Sequence, residues 1–139
     1  MLRAVVDVNV LVSAAIGRDG PPARIVRACL AGTFELIVSP MLVAELDRVL
    51  GDRRLASRIS PLDLDRLRQV LEHAAIQMDD PEPERVVGAD PGDDYLVALA
   101  RVAGARVIVT GDHHLLELDG LQPPALEPAA FLGVVERLP

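Results

Sequence analysis

The chain has 139 residues, half of them apolar, and a formal net charge of −7 at pH 7. That length suits one domain, 1–139, able to bury roughly two thirds of its unfolded surface, while the negative balance excludes loose, salt-dependent adhesion to nucleic acid or anionic lipid. The longest apolar stretches, such as 10–16, fall far short of the roughly 18 residues a membrane span needs, and no leader-like segment opens the sequence, so a cytoplasmic protein without membrane contact is expected.

In chain order, a strand predicted at 3–6 runs into Asp7 and then into the helix-capable "VNVLVSAAI". "PPARIVRACLAG" reads as a helix with a glycine suited to its C-cap, and Cys29 within it is a small core residue without a role. A second strand at 34–38 leads into "SPMLVAELDRVL", and "SPLDLDRLRQVL" repeats the same opening, serine at the N-cap and proline at the first helical position. A third strand falls at 75–78, followed by the proline-bearing loop 79–92 and the helix of "DPGDDYLVALARVAG". A fourth strand at 106–109, a weaker fifth at 125–127 and the helix of "EPAAFLGVVERL" complete the chain. Alternating units whose strands are apolar on both faces indicate a parallel sheet covered by helices on both sides, an α/β/α sandwich.

Function in such a sheet sits outside the carboxyl ends of the strands. Asp7 ends the first strand and Asp112 follows the fourth by a Thr-Gly turn, so both face one edge; each also suits the N-cap of the next helix. At 100° per residue, Glu45 falls between Met41 and Val49, on the face expected to pack, with Asp47 and Arg48 pointing elsewhere; an internal Arg-Glu pair is the plain alternative. The same phase argument selects Asp93 over Asp94, with a first-turn capping role as its alternative. Two such carboxylates about 5 Å apart repel by roughly 3 kcal/mol at an effective dielectric near 20. A hard divalent cation, Mg²⁺ or Mn²⁺, removes the conflict because it takes oxygen ligands. Zinc has no support: His113 and His114 are adjacent and neither has a second ligand at metal spacing.

"VVDVNVLVSA", "SPMLVAEL", "DPGDDYLVALA" and "VIVTGDHHLLEL", taken in order, resemble the four motif blocks of PIN-domain nucleases, particularly the toxin ribonucleases of bacterial toxin-antitoxin pairs. The resemblance implies a three-layer α/β/α fold with strand order 3-2-1-4-5 and Mg²⁺- or Mn²⁺-dependent endonucleolytic cleavage of RNA, leaving a 5′-phosphate and a 3′-hydroxyl. It implies an acidic site of Asp7, Glu45, Asp93 and Asp112, with Asn9 steadying the first acid and Thr110 near the fourth. It also implies a homodimer silenced by a small antitoxin protein. His114 stands where many relatives carry a further acid; Asp90 and Asp94 are possible substitutes, and the alternative is a histidine on the surface of a short helix. RNA would approach along arginines at the mouth, for which Arg18, Arg24, Arg53, Arg54 and Arg58 are candidates. All fourteen basic residues are arginine. A phospho-receiver module calls for a lysine that this chain lacks, a haloacid-dehalogenase-type phosphatase wants an aspartate where Asn9 stands, and a catalytically silent PIN-fold binding protein is the remaining alternative.

Overall fold

The computed structural model describes residues 1–16, 19–82 and 93–138; Arg18 and Asp90 lie outside them. The elements run β1 Arg3–Val6, α1 Val8–Ala15, α2 Pro21–Leu30, β2 Glu35–Val38, α3 Pro40–Leu50, α4 Pro61–Gln69, β3 Ile76–Gln77, α5 Asp94–Val102, β4 Val107–Val109, α6 His113–Leu116, β5 Ala125–Leu126 and α7 Pro128–Glu136. The serine caps form as the sequence requires: Ser39 Oγ accepts from the Leu42 N–H, Ser60 Oγ from that of Asp63, and a proline follows each.

Every pairing in the sheet is parallel, in the order β3-β2-β1-β4-β5. Val5 of the central strand stands opposite Ile37 on one side and Ile108 on the other, and Ala4, Val5 and Val6 are wholly buried, which is why this strand reads as unbroken apolar sequence. The edge strands β3 and β5 hold two residues each, shorter than predicted, because each has a ladder on one side only. From β1 to β3 the chain moves toward one edge, and from β3 through β4 to β5 toward the other. Right-handed crossovers therefore put α1 to α4 on one face and α5 and α6 on the opposite face. Consistently, α5 lies against β1 and β4 while α7 returns to pack on α2.

Phe34, leading into β2, meets Phe131 of α7 edge to face with ring centroids 5.1 Å apart, and both are buried. At the surface, Arg24 Nη2 lies 2.6 Å from Glu136 Oε1, fastening α2 to α7. Cys29 packs in the core, where burial pushes its thiol up. Among the described residues no helix is long and apolar enough to cross a membrane.

Candidate active site

The strand order reverses beside β1, whose neighbours β2 and β4 are reached by crossovers in opposite senses. That switch point is where a parallel sheet opens a crevice at its carboxyl edge. Asp7 follows β1 there and serves as the N-cap of α1, its Oδ1 accepting from the Asn9 N–H at 3.3 Å. Asp112 follows β4 and caps α6, its Oδ1 accepting from the His114 N–H at 2.9 Å. The capping roles are therefore real and leave a second oxygen of each acid for other work.

Thr110, wholly buried, joins the two. Its hydroxyl donates to Asp7 Oδ2 at 2.9 Å and accepts from the Asp112 N–H at 3.0 Å. Asp112 is held below the usual carboxylate range, first by a hydrogen bond from the Asp93 carboxyl and next by the His114 N–H. Asp7, Thr110, Asp112 and Asp93 thus form one connected chain across the edge. The sequence placed Thr110 near the fourth acid; it also holds the first. Asn9 supports Asp7 through its backbone, and its side chain is exposed.

Two phase arguments need correction. Glu45 does not lie on the packed face of α3: Leu42 and Leu46 are the buried residues, Met41 is 52% exposed, and the Glu45 side chain is 44% exposed on the flank. Nor does Arg48 point elsewhere. Its Nη2 and Nε donate to Glu45 Oε1 at 2.6 Å and Oε2 at 3.1 Å, so the Arg-Glu pair is the observed state, and it holds the Glu45 carboxyl below its ordinary value. On α5 it is Asp94 that is buried, while Asp93 is half-buried and precedes the helix. Because α5 begins at Asp94 and is buried almost all round, Asp93 lies outside the register that the phase argument assumed. His114 sits exposed on α6, as its plain alternative had it.

Tyr95 ties the acids together. Burial and then the charges of Asp7, Glu45, Asp93 and Asp80 push its hydroxyl up to about 12, so negative charge from four separate segments converges on one half-buried ring. Asp80, beyond β3, is itself fixed by the Met41 N–H, which donates to its Oδ2 at 2.9 Å at the start of α3. The sequence reading held an Arg-Glu pair as the alternative for Glu45 and passed over Tyr95 and Asp80 as site residues. The three-residue spacing from Glu45 to Arg48 was a usable signal; nothing local marked Asp80.

Tyr95 is the only tyrosine and the chain lacks tryptophan, so its ionisation is readable by ultraviolet absorbance. In the folded protein the midpoint is expected at about 12, against 10 for the ordinary side chain, and Asp7→Asn should lower it. Between those values the unfolded chain releases the proton and the folded chain keeps it, so stability falls as pH rises through this window. A folded midpoint at 10 would separate Tyr95 from the acids.

The arginines are dispersed. Arg24 is engaged by Glu136; Arg54 pairs with Asp52 at 2.9 Å and holds that carboxyl down to about 2; Arg53 and Arg58 are exposed and make no ion pair with the described residues. The donor set of Asp7, Glu45, Asp93 and Asp112 is all carboxylate oxygen, which fits a hard divalent cation. Among the described residues, no three His, Cys, Asp or Glu side chains are already arranged to hold one ion; Thr110, Arg48 and backbone N–H groups hold them instead.

A five-stranded parallel sheet with Asp7 and Asp112 joined through Thr110 at its switch point defines an α/β protein whose candidate site lies at that edge. The PIN domain description matches residues 3–114, and the chain belongs to the PIN domain family. PIN domains are generally nucleases and typically use divalent metals. The crystal structure of PAE2754 from Pyrobaculum aerophilum shares the fold, with a TM-score of 0.64 and 17% identity over 97% of this chain and 90% of that one. No curated protein matches the sequence.

Proposed function

We propose that this PIN domain is a Mg²⁺- or Mn²⁺-dependent endoribonuclease, and that it acts in the cytoplasm as the homodimeric toxin of a toxin-antitoxin pair, held in check by a small antitoxin protein. The observation that carries the nuclease reading is the hydrogen-bonded chain from Asp7 through Thr110 to Asp112 and Asp93. It brings acids from the ends of β1 and β4 and the start of α5 to one edge. Asp7 and Asp112 are the principal ligands in this reading, and Glu45 and Asp93 hold the cation directly or through water. A divalent ion there would lower the pKa of a bound water and offset charge building on the scissile phosphate.

The protein's own part is positioning. Thr110 and the Asn9 N–H fix both oxygens of Asp7, so the acid is oriented before any ligand arrives. Glu45 or Asp93 orients the attacking water. Arg53, Arg54 and Arg58 are the candidates for the local positive charge that an acidic protein needs to admit RNA. A phospho-receiver fits poorly, since that design has strand order 2-1-3-4-5 and a lysine.

The test is incubation of purified protein with labelled single-stranded and structured RNAs in Mg²⁺, Mn²⁺ or chelator. Cleavage is expected with either ion and is abolished by chelation. In parallel, Mn²⁺ should raise the melting temperature, as binding to the folded state alone requires. Cleavage that persists in chelator would overturn the metal-dependent reading, and no cleavage together with a melting temperature indifferent to both ions would leave a silent binding protein.

A further inference from the structure

Glu45 is the one proposed cation ligand whose two carboxylate oxygens are both taken by a single side chain. Arg48 grips it with two donors, Nη2 at 2.6 Å and Nε at 3.1 Å, the fork geometry by which a guanidinium matches a carboxylate. The pair lies on the flank of α3, with the arginine 71% and the glutamate 44% exposed. An exposed pair three residues apart contributes little to stability, so its exchange for another partner costs little. Arg48 also senses Asp52, and Arg53 and Arg54 follow just beyond the end of α3.

We infer that Arg48 is a resident counter-ion of the site, exchanged for the divalent cation at Glu45 and then free to contact a backbone phosphate of the RNA. The inference rests on the metal-dependent nuclease reading above and adds an ordering to it. The cation must compete with a tethered guanidinium for Glu45, so Arg48 raises the ion concentration at which the site fills. Once displaced, it stays one helical turn from Glu45, on the same helix, where it adds positive charge next to the site.

Mn²⁺ binding is measured by calorimetry on the wild type, Arg48→Ala and Arg68→Ala; Arg68 is an exposed arginine of α4 without an ion pair among the described residues and controls for net charge. Arg48→Ala should bind Mn²⁺ about two- to five-fold more tightly, the range an exposed ion pair can supply, with Arg68→Ala unchanged. At saturating Mn²⁺, Arg48→Ala should raise KM for a single-stranded RNA about three-fold or more at similar kcat, as expected for loss of one phosphate contact. Equal Mn²⁺ affinity in wild type and Arg48→Ala, an equal gain in Arg68→Ala, or an unmoved KM would overturn the inference. A wild type that binds no Mn²⁺ would instead end the nuclease reading on which it stands.

Discussion

Asp7→Asn is expected to cut metal-dependent RNA cleavage by roughly 10²–10³-fold, the scale of losing one well-placed charged group at a reacting phosphate, while the protein melts within a few degrees of the wild type or above it. The two halves have separate causes. An asparagine oxygen can still cap α1 by accepting the Asn9 N–H, and the new amide can donate to the Thr110 oxygen, so the fold keeps its local contacts at the cost of an acceptor for the Thr110 proton. What disappears is the charge. Removing one carboxylate also relieves repulsion from Asp93, Glu45 and Asp80, whose fields meet Asp7's at Tyr95. Calorimetric melting and a cleavage time course on one preparation check both halves. Full activity in the variant would remove Asp7 from the chemistry, and an unfolded variant would make it a structural residue.

Thr110→Val is expected to damage both stability and cleavage. Valine matches threonine in shape, but it leaves Asp7 Oδ2 without the hydroxyl's proton and the Asp112 N–H without its acceptor, in a position closed to solvent. Each buried group stranded this way costs about 1–3 kcal/mol, enough to lower the melting temperature by several degrees in a domain of this size. Cleavage should fall further than folding alone accounts for, because Asp7 and Asp112 lose the bridge that spaces them. Thr110→Ser keeps the hydroxyl and should recover most of both. If serine and valine behave alike, the bridge is unimportant and Thr110 is a packing residue.

The sheet was legible because burial on both faces writes itself into composition. Ala4 to Val6, Leu36 to Val38 and Val107 to Val109 are apolar without interruption, and each run is bounded by a turn or a cap. Asp7 and Asp112 were legible for the same reason, as the first charges after buried strands. Strand order was not written in any one strand; it came with the motif resemblance, and the parallel ladders bear it out. The helical acids were harder. Met41 is apolar yet half-exposed, so it drew the expected packed face of α3 around toward Glu45, when Leu42 and Leu46 define the true one. On α5 the burial of Asp94 and of Leu96 through Ala100 leaves little polar face from which to set a phase. Asp80 and Tyr95 were invisible because their significance comes from neighbours distant in sequence, which only the closed fold supplies.

The bridge between Thr110 and Asp7 spans 103 residues, and Phe131 of the last helix seals the core against Phe34. In the proposed nuclease, catalytic competence is thereby made conditional on complete folding. A nascent, nicked or partly melted copy in which β4 has left β1 no longer brings Asp112 to Asp7, so such a copy is harmless by construction. For a protein proposed to cut the cell's own RNA, the long separation works as a safety interlock on incomplete copies, beside the antitoxin proposed to restrain complete ones.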